Sequence, residues 1–370
     1  MSMAGDSTEI AVIGAGLVGS ALALGLARTG ARVTLVDAAT DDFHASAANF
    51  GLVWVQGKGL GAPDYAGLSL RAAQGWDGFA ADLAQGSGIS PAYRRTGGLR
   101  IALSEAELDR TRADLARLHN QPGGAQDTRI LDRDALRAML PGIGPAAVGA
   151  AYCPHDGHAD PLRTLRAMRT MLPAQARIKA MQVTRVRPEA SGFVIEGGEG
   201  RVTADRVVLA AGLGNADLAP GLGLHAPLRP QRGQILVTER LPPLLDIATH
   251  NVRQTADGTV MMGDSKEDAG FDRGTTQSVA HKIATRAVRS FPALAHARLV
   301  RSWAGLRVMS PDGLPIYEAS TSNPGAYLVT CHSGVTLASL HAGEVARAIA
   351  EDALHSRYPA FSPARFAEAA

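Results

Sequence analysis

The sequence predicts an α/β fold in which a parallel-sheet domain is interleaved with a second domain of mixed β-sheet plus helices. Three observations predict it. Near the start, a glycine-spaced turn joins an apolar strand to an apolar helix, and a second apolar strand closed by an acid follows. Apolar strands ending in small residues recur in the middle of the chain and near its end. Between these segments, short strands with turn signals replace the helical period, with no internal repeat or low-complexity linker.

Residues 10–13 form a short apolar run of the kind buried on both faces of a parallel sheet. Val18, Ala21, Leu22, Gly25 and Leu26 then follow at helical spacing over 17–29, and Gly30 suits the end of that helix. Residues 33–36 are the second strand, closed by Asp37. A surface helix is predicted over 104–118 with Ser104 as N-cap, then a polar loop over 120–127. Asp160–Pro161 is a helix start, an Asp cap followed by Pro at the first position. Strands are predicted at 192–196, with a Glu199–Gly200 turn, and at 205–211, 233–238, 259–263, 300–308 and 327–331. Helices are predicted over 276–289 and 334–354.

Gly14-Ala15-Gly16-Leu17-Val18-Gly19 matches G-x-G-x-x-G in the setting that gives the motif meaning. The first glycine makes a tight turn, the second admits a pyrophosphate to the backbone, and the third lets helix pack on strand. The anion then meets unpaired N–H groups and the positive end of a helix dipole. Asp37 can accept hydrogen bonds from ribose hydroxyls. A Rossmann dinucleotide site is therefore predicted, with FAD and NAD both open at this point.

A formal net charge of +2 gives no global field to recruit nucleic acid or anionic lipid. No apolar run reaches the ~18 residues of a membrane span, and no secretory signal pattern opens the chain. Two cysteines, Cys153 and Cys331, make neither a disulfide framework nor a C-x-x-C site, so a cytoplasmic setting with reduced thiols is expected. His155, Asp156, His158 and Asp160 have metal-like spacing. Because Asp160 serves as a cap and Asp156–Gly157 reads as a turn, no metal is expected. Ser333 has no Ser/His/Asp arrangement around it, against a nucleophilic hydrolase.

Four further segments narrow the reading. They are Ala-Ser-Ala-Ala-Asn-Phe-Gly-Leu at 45–52, Val-Val-Leu-Ala-Ala-Gly at 207–212, Trp-Ala-Gly-Leu-Arg-Val-Met-Ser-Pro-Asp-Gly-Leu-Pro-Ile at 303–316 and His-Ser-Gly-Val-Thr-Leu at 332–337. With the N-terminal turn, this ordered set resembles the D-amino-acid oxidase family of flavoproteins, which includes glycine and sarcosine oxidases. Gly-Leu-Val-Trp-Val-Gln-Gly-Lys at 51–58 and the 332–337 segment are similar to a narrower group, the FAD-bearing β subunits of opine oxidases and D-hydroxyproline dehydrogenases, with hydrogen cyanide synthase subunits close by. The resemblance is weakest over about 60–145 and 240–300.

The resemblance implies a Rossmann-like FAD-binding domain from 1–85, 145–225 and 318–370, interleaved with a substrate domain from 86–144 and 226–317. It implies that FAD is held by Gly14, Ala15, Gly16, Leu17, Val18, Asp37 and Ala38, by Ala45, Ser46, Asn49, Gly51 and Leu52, and by Val183 against adenine. Ala210, Gly212, Gly305 and Arg307 complete the set with Ser333, Gly334, Val335, Thr336 and Leu337. Arg307 is implied to grip the substrate carboxylate through its planar fork, although Val308 stands where similar chains often have Pro. His332 is a catalytic candidate, and Arg253 and Trp54 are substrate-pocket candidates, with Gln254, Gln56 and Lys58 nearby. No cysteine occurs at 305–310, where sarcosine oxidases tether flavin, so FAD is expected to be non-covalent.

The implied reaction is oxidation of the C–N bond of a D-hydroxyproline, D-proline or opine by hydride transfer to flavin N5, giving an imine. The alternatives are a glycine or primary D-amino acid oxidase, an FAD-bearing β subunit passing electrons to a partner, and a non-catalytic nucleotide-binding module. Oxygen, a quinone or a partner electron-transfer subunit is the expected acceptor, and a homo- or hetero-oligomer is compatible with the reading.

Overall fold

A computed structural model describes residues 6–38, 44–123, 127–198, 200–263 and 265–369. Asp6–Ile13 is the central strand of an eight-stranded sheet. Its residues 10–13 are at most 3% exposed, which is why the run is apolar throughout rather than alternating. It pairs in parallel with Gly200–Leu209 on one side and Val33–Asp37 on the other. Arg177–Ala180 and Ala326–Thr330 extend the parallel part, and Ile316–Ala319 closes one edge antiparallel. Val183–Glu189 and Gly192–Gly197 form an antiparallel hairpin beside Gly200–Leu209. Glu199 of the expected turn lies outside the described residues.

The register decides where a ligand can lie. Ile13 stands opposite both Val36 and Leu209, and Leu209 stands opposite Leu328. Three strands therefore end within a residue of one another, the fourth runs two residues further to Thr330, and the segments after them meet at one carboxyl edge. Gly14 takes φ +100 there and its N–H donates to the Val36 carbonyl at 2.8 Å. A Cβ on Gly14 would sit 2.4 Å from the Ala210 carbonyl oxygen, and one on Gly19 would sit 1.7 Å from the Gly14 oxygen, so this turn closes only without side chains. The helix Leu17–Arg28 that follows is buried on almost every face.

Two four-stranded sheets build the other half. Arg229–Arg240 pairs antiparallel with Leu299–Met309 and with Thr259–Met262, which continues to Val252–Gln254. Gly98–Ala102 pairs with Gly149–Cys153 and Ala248–Thr249, and Arg129–Asp132 pairs with Gly149–Cys153. Leu99, Ile101, Leu236, Val252, Val260 and Phe291 share one core, so these sheets and the helix Gln277–Ser290 stabilise each other.

The helices predicted over 104–118, from Asp160–Pro161 and over 276–289 form at Glu105–His119, Pro161–Thr170 and Gln277–Ser290, with Ser104 accepting from the Glu107 amide and Asp160 from those of Leu162 and Arg163. Two corrections concern the C-terminal half. The strand predicted over 205–211 runs Gly200–Leu209 and gives way to a tight turn at Gly212–Gly214. The helix predicted from 334 begins at Ala338, passes through a π-helical stretch at His341–Val345 and stops after Ala350. Asp352, at φ +52, breaks it from a separate turn at Leu354–Arg357. Residues 334–337 are a turn entering that helix. The Asp156–Gly157 turn also moves, to Pro154–His155, with Gly157–His158 paired to Leu52–Val53. The 25-residue helix Pro63–Ser87 is an addition to the expected elements. Pro63 at its start and Tyr65, Leu68, Ala72, Trp76, Phe79 and Leu83 on its buried face carry the helical period.

Glu107 accepts two hydrogen bonds from Arg286, each 3.0 Å, across the 105–119 and 277–290 helices. The Arg286 guanidinium holds its carboxyl down at about 2 against an ordinary 4.5. This contribution is complete above pH 4.5 and is lost as pH falls through 4.5 towards 2. After allowing for solvent screening it amounts to about 1 kcal/mol. Glu107→Gln should lower stability by about that amount at pH 7 and narrow the gap from the parent below pH 3, as read by denaturant titration at several pH values.

Candidate active site

A cavity of about 1200 Å³ runs along the carboxyl edge of the parallel strands and reaches the Arg229–Arg240 sheet. At one end, Asp37 closes the second strand and its Oδ2 accepts the Ala15 N–H at 2.6 Å. Ser46 Oγ accepts the Leu17 N–H at 2.9 Å, so the small-residue loop is tied to the start of the first helix. The loop is also pinned from the other sheet, because the Trp303 indole donates to the Ala48 carbonyl at 3.1 Å. Gly305 admits this contact: a Cβ there would lie 2.5 Å from Ala48 Cβ.

Most of the expected residues line this one cavity. They are Gly14, Ala15, Gly16, Leu17, Val18, Asp37, Ala38, Ala45, Ser46, Asn49, Leu52, Trp54, Val183, Ala210, Gly212, Gly305, Arg307 and His332–Thr336. Three others stand behind its wall. Gly51 packs on the Ala159 carbonyl and the Arg253 guanidinium, and Leu337 is fully buried in the core. Arg253 is 3% exposed, donates to the Phe50 carbonyl and lies over the Phe50 ring. Burial lowers its guanidinium to about 10.

The opposite end is built around the 332–337 turn. Ser333 Oγ receives a hydrogen bond from Lys58 Nζ at 2.8 Å and bonds Tyr65 Oη at 2.7 Å. Thr336 Oγ1 receives Lys58 Nζ and the Trp54 N–H, each at 3.1 Å. The buried indole of Trp76 donates to the Val335 and Thr336 carbonyls at 3.1 and 3.0 Å. Among the described residues, no backbone carbonyl takes the amide hydrogens of Gly334, Val335 or Thr336. These donors sit just before the start of a helix, where an electron-rich group is favoured.

Arg307 comes from the other sheet. Its Nη1 donates to the Ser265 carbonyl at 2.8 Å and the Arg232 carbonyl at 3.4 Å. A Cβ on Gly233 would lie 2.5 Å from that nitrogen, so Gly233 is the floor on which the guanidinium rests. Burial, with the nearby cations Lys58, Arg307 and Lys266, pushes His332 down to about 3, leaving a neutral imidazole. Burial lowers Lys58 to about 8, offset in part by Asp156, and raises the Cys331 thiol to about 12.

These surroundings fit FAD: an acid at the end of the second strand, a side-chain-free turn, small residues along the middle, and backbone amides at the far end. A profile of FAD-dependent oxidoreductases matches residues 9–348. The chain belongs to this DAO family of FAD-dependent oxidoreductases. Within the DAO family it is 42% identical to an opine oxidase subunit of Agrobacterium tumefaciens, over 97% of each chain. It is 28% identical to a glycine oxidase of Pseudomonas aeruginosa, over 98% of this chain and 99% of that one. The crystal structure of glycine oxidase from Geobacillus kaustophilus shares the DAO fold at a TM-score of 0.85 and 23% identity, covering 94% and 95% of the two chains.

The metal-like segment has other work. Asp156 accepts from the Val55 and Gln56 amides and the Gln56 side chain, fixing the segment that carries Trp54 just after the strand Leu52–Val53. His155 pairs with Asp127. Among the described residues, no helix is long and apolar enough to cross a membrane. Sequence reasoning missed Tyr65, Trp76 and Arg169. Tyr65 and Trp76 lie in the unexpected helix. Arg169 donates to the Ala15 carbonyl from the last turn of Pro161–Thr170, a contact visible only in three dimensions.

Trp76→Phe keeps most of the ring volume and removes the donor shared by Val335 and Thr336. A loss of about 1 kcal/mol in stability and easier release of FAD on dialysis are expected, measured by denaturant titration and by residual flavin absorbance.

Proposed function

We propose that this flavoenzyme oxidises the C–N bond of a small amino or imino acid whose carboxylate is held by Arg307. The supporting observation is the fixed guanidinium on the cavity wall, clamped by two carbonyls and seated on Gly233. A guanidinium offers a fork of donors matched to two carboxylate oxygens. Held this way, the α-carbon is oriented before reaction, which is most of what the step requires of the protein. Bound FAD supplies the two-electron acceptor.

The substrate loses hydride from carbon and a proton from nitrogen, and a C=N bond remains. Hydrolysis by one water then gives an oxo acid and an amine. A neutral His332 can accept a hydrogen bond from the substrate nitrogen without adding charge. Trp54 forms wall beside it, and Arg253 supports the wall through Phe50. A secondary-amine acid, such as D-hydroxyproline, D-proline or an opine, is the preferred substrate class, and the opine oxidase relative supports it. The glycine oxidase relative supports a second reading, a primary amino acid substrate. The opine oxidase relative is itself named as one component of a larger enzyme, which supports electron transfer to a partner chain as an alternative to oxygen.

Arg307→Met removes a charge-assisted fork worth about 2–3 kcal/mol, so flavin reduction by the best amine acid should slow by about 100-fold in anaerobic stopped flow. Equal rates in parent and variant would remove Arg307 from the site. FAD is expected to be non-covalent, with no cysteine at 305–310 and the Cys331 thiol kept protonated by burial. Acid precipitation should leave the yellow colour in the supernatant.

A further inference from the structure

The cavity lining carries more cations than carboxylates. Among the described residues its carboxylates are Asp37 and Asp217, and Arg169 lines the wall beside Asp37 at the glycine turn. Around His332 the charges are cations, Lys58, Lys266 and Arg307, and Arg273 also lines the wall. The nearby acids are already engaged. Glu267 pairs with the buried Arg232 at 2.8 Å and accepts from Gln234 and Ser265, and Asp272 also pairs with Arg232.

Lys266 is set in place by its neighbours. Ser265 on one side gives its carbonyl to Arg307 and its hydroxyl to the Gln234 amide at 2.7 Å. Glu267 on the other side exchanges two backbone hydrogen bonds with Arg232, at 2.9 and 3.0 Å. The backbone of Lys266 is thus held between residues bonded to Arg307 and to Arg232, and its side chain is exposed on the cavity wall. Lys266 and Arg307 both act on His332 from one cavity wall, and like charges there favour an anion between them. One carboxylate satisfies the Arg307 fork and leaves Lys266 to a second.

We propose that Lys266 binds a second carboxylate of the substrate, and that the preferred substrate is a secondary amine bearing two carboxylates. This inference rests on the reading of Arg307 given above. Arg307 holds the carboxylate beside the carbon that is oxidised, and Lys266 holds the carboxylate on the other substituent of nitrogen. A monocarboxylic amine fills only the first position.

The test uses the holoenzyme and two ligands that have no C–N bond to oxidise. Thiodiacetate carries two carboxylates, and methylthioacetate carries one. Calorimetry should show the parent binding the diacid at least about tenfold more tightly, a difference of ~1.4 kcal/mol. Lys266→Met should bring that ratio close to one, Lys266→Arg should restore most of it, and Lys266→Glu should push it below one. Retained FAD absorbance and thermal midpoint show that the variants are folded. No preference in the parent, or equal weakening of both ligands in Lys266→Met, would overturn the proposal. A panel of amine acids mixed anaerobically with the same protein separates the two readings. If none bleaches the flavin while diacid binding still depends on Lys266, the amine oxidation reading fails and the second-carboxylate site stands. If monocarboxylic amines bleach it and the ratio ignores Lys266, the reverse holds.

Discussion

The common ending of the parallel strands is the constraint on which the rest of this structure depends. Ile13, Val36, Leu209 and Leu328 stand side by side in the sheet, so the glycine turn, Asp37, Ala210 and the 332–337 turn all emerge at one edge. A slip of one residue in any pairing would turn that strand's side chains over and move its terminal segment out of line. The close contact of Gly14 with Gly19 and with the Ala210 carbonyl locks that edge, since no side chain fits between them.

The second sheet approaches this edge with little freedom. The Trp303 indole on the small-residue loop and the seat of Arg307 on Gly233 come from the two paired strands Arg229–Arg240 and Leu299–Met309. Three backbone carbonyls, of Ala48, Ser265 and Arg232, accept from these two side chains. Backbone contacts hold a guanidinium in one orientation more firmly than a surface ion pair does, because the carbonyl partner has no long flexible stem to order. Burial, with the cations Lys58, Arg307 and Lys266 beside it, leaves His332 neutral.

Much of the architecture was legible in the sequence because it depends on local rules. The G-x-G-x-x-G turn, the Asp160–Pro161 start and the Ser104 cap each satisfy backbone groups within a few residues of themselves. What was not legible depends on distant partners. The Pro63–Ser87 helix mixes glycines and polar residues into its sequence, and its buried face is defined by the 332–337 turn it supports through Tyr65 and Trp76. The last helix reads as continuous from 334, but the Val335 and Thr336 carbonyls accept from that indole, and Val335 closes only a three-residue turn with the Ala338 amide. Arg253 looks like a pocket cation in the sequence, and its burial behind Phe50 follows from the packing of two sheets.

The most direct measurement of the central claim is a crystal structure of the flavin-loaded protein soaked with a non-reactive carboxylate such as 2-furoate. Both carboxylate oxygens should lie within hydrogen-bond distance of the Arg307 guanidinium, with the isoalloxazine ring between that anion and the 333–336 turn. A carboxylate bound elsewhere, or a ring remote from Arg307, would contradict the claim.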